Sequence, residues 1–283
     1  MTRRQALAHA RELLDRHKIE DSSLEAEILL RHTLKIDRTQ LFTELDSPLK
    51  KRQEDTYRTF IKRRSKGEPS AYITGHREFF RLDFFVDKRV LIPRPETELL
   101  VEQAIAQAGN YRRPVIVDVG TGCGAIAVSL ALHIPHAEIY AVDISKAALK
   151  VATRNCLKHG VGDSVKLLVG DLLESAPTLV DIIVANLPYV LTAEVPQVNT
   201  YSFEPRLALD GGMDGMDVIK RLCLQAHDKL QPAGCLLLEI GMAQSKIASV
   251  VLQEFFPAAS VEFVPDLSGI RRVVCVTLPA TAV

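Results

Sequence analysis

Neither charge is in excess in this chain of 283 residues, where 35 Lys and Arg balance 35 Asp and Glu. The balance removes the basic surplus of a protein whose main partner is naked nucleic acid, leaving room only for a local patch. Long hydrophobic runs are also missing. No stretch approaches the roughly 18 uninterrupted apolar residues that would span a bilayer, and the opening MTRRQALAHARELLDRHK is charged and amphipathic, unlike a signal peptide. A cytoplasmic protein with no membrane partner is therefore expected. Cysteine is scarce and dispersed: Cys123, Cys156, Cys223, Cys235 and Cys275 form no Cys-x-x-Cys pair and have no histidine at ligand spacing. Neither a disulfide framework nor a metal site is indicated, and reduced, mostly buried thiols are expected.

What is present is apolar residue at 47%, enough for one substantial core and a smaller second domain. Residues 1–72 read as helices only. Ala6, Leu7, Ala10, Leu13 and Leu14 recur at helical spacing, and Ser22-x-x-Glu25 has capping-box form. A further helix between Pro48 and Lys66 carries Lys50, Lys51, Arg52, Lys62, Arg63, Arg64 and Lys66, either a solvated face or a docking surface for an acidic or ribonucleoprotein partner. Residues 73–93 switch to aromatic and β-branched types around a break at Arg81-Leu82-Asp83, which predicts a β-hairpin linker closed by Pro93-Arg94-Pro95. Residues 94–283 open with a helix from Glu96 and then alternate short apolar runs with helical segments. Such alternation predicts an α/β domain, a mostly parallel sheet covered on both faces.

Two segments carry chemistry. In DVGTGCGAIAVSLA, Gly120, Gly122 and Gly124 fall where a strand turns into a helix, allowing a ligand to lie against backbone that a side chain would block. Asp143 ends the next strand, placed to accept both hydroxyl hydrogens of a ribose. A structural turn, a dinucleotide site and an S-adenosylmethionine site all remain open on these residues alone. Gly170-Asp171 after the following strand offers a second acid at the adenine end or a simple turn. Asp118 can orient the loop amides.

The second segment is Asn186-Leu187-Pro188-Tyr189, at the end of the strand Val180 to Ala185. The Asn186 side-chain oxygen and a carbonyl at Leu187 or Pro188 can each accept a hydrogen from an NH2 group, fixing a planar nitrogen nucleophile. Tyr189 can lie against that flat group, and Pro188 limits the loop. Methyl transfer to an amide-like nitrogen follows as the chemistry these four residues suit.

Taken together, IPRPETE (Ile92 to Glu98), DVGTGCGAIAVSLA, Asp143, Gly170-Asp171, NLPYV, EPRLALDGGMDGMDVI (Glu204 to Ile219), Glu239-Ile240-Gly241 and DLSGIRRVV (Asp266 to Val274) resemble the release factor glutamine methyltransferases over nearly the whole chain. The resemblance implies a class I methyltransferase (Rossmann-like) domain with a seven-stranded, mostly parallel sheet, behind an N-terminal helical bundle that helps dock the substrate. It implies S-adenosylmethionine as cofactor and the glutamine of the Gly-Gly-Gln loop in class I peptide chain release factors as target, with no stable nucleic-acid partner. A monomer is expected. By resemblance, Gly120, Thr121, Gly122, Cys123 and Gly124 line the methionine and ribose part of the cofactor, Asp143 the ribose, and Asp171 and Leu172 the adenine. Asn186 to Tyr189 hold the glutamine amide, with Asn186 also bordering the cofactor, and Arg94, Glu96 and Glu98 close over the site. Leu187 departs from the family's usual Asn-Pro-Pro-Tyr, which keeps a carbonyl acceptor but loses rigidity. The rival readings are an N6-adenine or RNA-base methyltransferase, which would grip a flipped base with the same tetrad, and a non-catalytic release-factor- or ribosome-binding module.

Overall fold

A computed structural model describes residues 1–195 and 203–280. The chain divides into two compact units, Met1–His76 and Arg77–Val283. Among the described residues no helix is long and apolar enough to cross a membrane.

The first unit is helical: α1 (Arg3–Arg16), α2 (Ser22–Leu34), α3 (Arg38–Thr43), α4 (Lys51–Arg64) and α5 (Ser70–Thr74). Thr2 caps α1 in a reciprocal box with Gln5, and the buried stripe Ala6, Ala10, Leu14 meets Leu29, Leu30, Tyr57 and Ile61 from α2 and α4. Tyr57 donates its buried hydroxyl to the Ala26 carbonyl at 3.0 Å, so the phenol enters the core with its polar end satisfied. The Ser22-x-x-Glu25 box does not form. Asp21 takes the capping position in the left-handed region with no side-chain cap, Ser22 donates to the Asp15 carboxylate, and Glu25 pairs with Arg64. Arg63 is likewise paired with Glu68 and Lys51 with Asp55, so three cations of the basic run are already engaged.

The second unit begins with a two-stranded hairpin, β1 (His76–Phe79) and β2 (Leu82–Phe85). Its turn is Phe80-Arg81, both at positive φ, so Leu82 and Asp83 belong to the strand and not to the break. Glu98 steadies this strained pair by accepting the Phe80 N–H at 2.9 Å. The main sheet uses β3 (Val115–Val119), β4 (Glu138–Asp143), β5 (Val165–Val169), β6 (Val180–Ala185), β7 (Leu230–Glu239), β8 (Ser260–Pro265) and β9 (Arg271–Thr277). Their order is β5-β4-β3-β6-β7-β9-β8, parallel except for the pairings of β9 with β7 and β8. The seven-stranded, mostly parallel α/β expectation is met.

Parallel strands bury both faces, so they read as continuous apolar runs. One face, including Val117, Val119, Ile183, Ala185, Leu236 and Leu238, packs on α9 (Asp217–His227) and α10 (Ser245–Phe255). The alternate residues Ile116, Ile182 and Val184 are equally buried, each contributing roughly 1.5–3 kcal/mol. On the chain between the strands lie α6 (Thr97–Ala108), α7 (Ala125–His133) and α8 (Lys146–Lys158), which pack successively, α6 on α7 and α7 on α8. Strand β7 starts five residues earlier than its apolar run Cys235 to Ile240 suggests, because Leu230 pairs with Val180 before a register shift accommodates Pro232 and Gly234. β3 has β4 on one side and β6 on the other, so chain order reverses there. The loops leaving β3 and β6 diverge and open a crevice at the carboxyl edge of the sheet.

Candidate active site

The loop after β3 is built by its glycines and by β4. Gly120 and Gly122 have φ of 74° and 57°, and a Cβ on Gly120 would stand 3.2 Å from the Leu187 side chain. Backbone N–H groups of Gly120 and Thr121 both donate to the Val142 carbonyl, and that of Gly122 to Asp143 Oδ2 at 2.8 Å. The other Asp143 oxygen accepts from the Ser145 N–H, also at 2.8 Å. Each oxygen keeps a lone pair for a ligand. Burial raises the Asp143 pKa above the usual carboxylate value, and the two backbone hydrogen bonds oppose the rise.

Asp118 lies beneath the loop, fully buried. Its Oδ2 accepts from the Thr121 hydroxyl at 2.6 Å and the Ala127 N–H at 3.1 Å, while Oδ1 has no hydrogen-bond partner among the described residues. Burial pushes its pKa from 3.8 to about 7. A carboxyl that binds its proton more tightly when folded costs stability as pH rises from 3.8 to 7 and costs nothing below that interval. The interval from 3.8 to about 7 amounts to at most about 4 kcal/mol. Asp118→Asn, which keeps an acceptor and adds no charge, should therefore gain stability relative to the parent chain as pH rises from about 4 to about 7. Urea unfolding of both proteins across that range checks this; parallel pH profiles would show that Asp118 stays unprotonated throughout.

The other wall starts where β6 ends. Asn186 directs Nδ2 to the Thr97 hydroxyl at 3.0 Å. Leu187 is buried in the sheet core against the glycine loop, which ties the tetrad to the first wall and gives the residue a packing role that a proline would fill differently. The Tyr189 hydroxyl donates to Glu239 at 3.3 Å, and the Tyr189 carbonyl accepts from Gln244 at 2.9 Å. Gly211 presses on the tetrad from outside: a Cβ there would fall 2.7 Å from the Pro188 carbonyl oxygen. Glu204, buried at the start of the segment carrying Gly211, accepts from the Ile92 N–H at 3.0 Å and pairs with Arg94, joining the residues that precede α6 to this wall.

Between the walls is a cavity of about 200 Å³. Of the residues singled out in the sequence, Gly120, Gly122, Asp143, Gly170, Asp171, Leu172, Asn186, Leu187 and Pro188 line it. Thr121, Cys123 and Gly124 lie behind its wall: Thr121 is bonded to Asp118, Cys123 is buried with its thiol pushed up to about 12, and Gly124 starts α7 against Ala152. Tyr189 lines a smaller adjoining recess with Arg94 and Asn186. Glu96 occupies the N-cap position of α6 with no side-chain cap, and Glu98 faces the hairpin turn. Asp171 is ion-paired with Arg221, which also lines the cavity. Glycine backbone for close approach, a carboxylate with free lone pairs and an apolar floor from Val119, Val142 and Leu172 fit an adenosyl cofactor.

Comparison with known proteins decides the family. A release factor glutamine methyltransferase of Moorella thermoacetica is 41% identical over 96% of this chain and 97% of its own, and one of Koribacter versatilis is 40% identical over 97% and 98%. The chain belongs to the release factor glutamine methyltransferase family. The family model for the PrmC N-terminal domain matches residues 5–75, and that for the methyltransferase small domain matches residues 95–201. A methyltransferase structure from Pyrococcus furiosus shares the fold, with a TM-score of 0.52 at 18% identity over 71% of this chain and 91% of that one.

Several residues of this family member escape sequence reasoning. Asn155, in α8, accepts from the Phe85 N–H and donates to the carbonyls of Phe85 and Cys123, fastening the hairpin to the glycine loop. Glu204 and Glu239 carried a visible signal, an acid embedded in an apolar or rigid run (LLLEIG, FEPRL), which marks a buried charge with a structural or functional duty. Thr97 carried none.

Proposed function

We propose that this chain transfers a methyl group from S-adenosylmethionine to the side-chain amide nitrogen (N5) of the glutamine in the Gly-Gly-Gln loop of class I peptide chain release factors. The observation that carries it is the Asn186 amide, held by Thr97 at the rim of the cavity that Asp143 and the glycine loop also line, in a chain of this family. When bound, S-adenosylmethionine supplies a methyl group activated by its sulfonium. An amide nitrogen is a poor nucleophile because its lone pair is delocalised into the carbonyl. Asn186 Oδ1 and a backbone carbonyl of the tetrad accept its two hydrogens, set its plane and stabilise the positive charge that grows on it as the new bond forms. Those carbonyl oxygens are not bases, so the proton shed by the methylated nitrogen goes on to solvent water once the site opens. Tyr189, braced by Glu239 and Gln244, excludes water from the flat group.

The roles of Gly120, Thr121, Gly122, Cys123, Gly124, Asp143, Asp171 and Leu172 toward the cofactor divide accordingly. Residues on the cavity wall touch it, and Thr121, Cys123 and Gly124 shape the loop. The helical unit 1–72 docks the release factor, residues 73–93 serve as the hairpin linker, and 94–283 carry the chemistry. The enzyme works in the cytoplasm as a monomer without a stable nucleic-acid partner, in keeping with its balanced charge.

The test is transfer of labelled methyl to a purified class I release factor, compared with the same factor carrying Gln→Ala in its Gly-Gly-Gln loop and with bare DNA and RNA. Label in the unaltered factor alone supports the glutamine reading, and label in nucleic acid alone overturns it.

A further inference from the structure

The exit of the hairpin and the glycine loop are distant in the chain, and one buried side chain reaches both. Asn155 in α8 is 0% exposed. Its Oδ1 accepts the Phe85 N–H at 2.8 Å, and its NH2 donates to the carbonyls of Phe85 at 2.9 Å and Cys123 at 2.8 Å. A backbone N–H can only donate and a carbonyl can only accept, so the partners fix the direction of all three bonds and the amide cannot be reversed. To Phe85 it presents the donor and acceptor that a neighbouring strand would offer. On its other side it grips the loop between Gly122, which lines the cavity, and Gly124, where a Cβ would stand 3.2 Å from Ala152 of the same helix. Both partners lead to walls of the cavity. Beyond Phe85 the chain turns tightly, the Asp87 carboxylate taking the Arg89 N–H at 3.0 Å and the Asp87 carbonyl the Val90 N–H at 3.1 Å. Arg89, Val90 and Leu91 then form one part of the wall, and Gly120 and Gly122 another.

We propose that Asn155 is a positioning residue for S-adenosylmethionine: by tying Phe85 to Cys123 it couples the hairpin exit to the glycine loop and sets the spacing of two walls that the cofactor touches together. Asn155 does not line the cavity, so its effect on binding passes through those two segments. With the walls tied before the cofactor arrives, little ordering remains to be done on binding, and affinity rises accordingly. The coupling is reciprocal. A cofactor that holds the glycine loop must steady the hairpin exit by as much as the hairpin exit favours the cofactor. The proposal rests on the cofactor reading of this cavity and is independent of which nitrogen is methylated.

Asn155→Leu keeps a branched side chain of similar size and removes all three bonds. Calorimetric affinity for S-adenosylmethionine should fall about tenfold and its KM rise in step, while kcat at saturating cofactor stays near that of the parent because the tetrad is untouched. Lys158 supplies the control. It fastens the hairpin to α8 through the Asp83 carboxylate and carbonyl and does not line the cavity, so Lys158→Ala should keep the parental affinity. A second readout needs no variant. Phe85 is absent from the cavity lining, yet in the parent the cofactor should slow exchange of its amide hydrogen with solvent, since a held loop holds Cys123 and, through Asn155, Phe85. In Asn155→Leu that amide should exchange at one rate with or without cofactor. Parental affinity in Asn155→Leu, an equal loss in Lys158→Ala, or a Phe85 amide indifferent to cofactor in the parent would overturn the proposal, and the last decides it even if Asn155→Leu does not fold. Asp143→Ala, assayed alongside, separates the two levels. A weakened Asp143→Ala with a normal Asn155→Leu removes the coupling only, whereas parental affinity in Asp143→Ala removes the ribose reading of the cavity beneath it.

Discussion

Asn186→Ala is expected to lower methyl transfer to a release factor at least ~10²-fold, the usual consequence of losing one hydrogen-bonding group that acts on charge developing in the transition state. Affinity for S-adenosylmethionine should change little. Asn186 touches the cavity wall, but the cofactor side of that wall is dominated by the glycine loop, Asp143 and the apolar floor. The loss should appear in kcat, since an acceptor that strengthens as the amide nitrogen becomes positive contributes more to the transition state than to the bound substrate. Alanine also leaves the Thr97 hydroxyl without its N–H donor, the loss of one side-chain hydrogen bond, which the fold should survive. Single-turnover transfer of labelled methyl, with calorimetry for the cofactor, measures both quantities. Turnover close to that of the parent would remove Asn186 from the mechanism.

How legible the molecule was depends on the range of the interaction. The strands Val115–Val119 and Val180–Ala185 stand where their apolar runs place them, because burial on both faces leaves a local signature that needs no knowledge of the partner. Ser145 and His159 bracket α8 for the same reason, Ser145 accepting from the Ala148 N–H within one turn. Where the deciding contact is distant, local patterns mislead. Ser22-x-x-Glu25 has the letters of a capping box, but Glu25 lies beside Arg64, thirty-nine positions on, and a charged pair outcompetes a backbone N–H for that carboxylate. The hairpin turns one residue early, at Phe80, because Glu98 is there to take the exposed N–H. In the site the same division holds. Glycines, Asp143 and the tetrad declare themselves through residue type at strand ends, where open α/β sheets bind ligands. Thr97 lies 89 positions from Asn186, and although it sits inside IPRPETE nothing local shows which side chain it will meet. Leu187 seemed only a loss of stiffness; its side chain proves to be the contact between the two walls.

Asp143→Ala should weaken S-adenosylmethionine binding by at least ~10²-fold, since each hydrogen bond to a charged acceptor contributes about 1.5–3 kcal/mol and a ribose offers two hydroxyls. The carboxylate is also part of the loop. Its two oxygens take the N–H groups of Gly122 and Ser145, one in the glycine turn and one at the cap of α8. Alanine leaves both donors without their acceptor beside the cavity, so the loop should relax as the ribose contact disappears. Asp143→Asn distinguishes these two duties. Asparagine has one acceptor oxygen, so it can satisfy Gly122 or Ser145 but must point its NH2 at the other, donor against donor. If holding the loop were the whole of its role, asparagine would be nearly as harmful to stability as alanine and the cofactor would lose affinity only in proportion to unfolding. If Asp143 binds the ribose, affinity falls in both variants while most of the thermal midpoint remains, and kcat at saturating cofactor stays close to that of the parent because the tetrad is untouched. Calorimetric affinities of the two variants equal to the parent's would contradict the ribose assignment and leave Asp143 as a loop anchor.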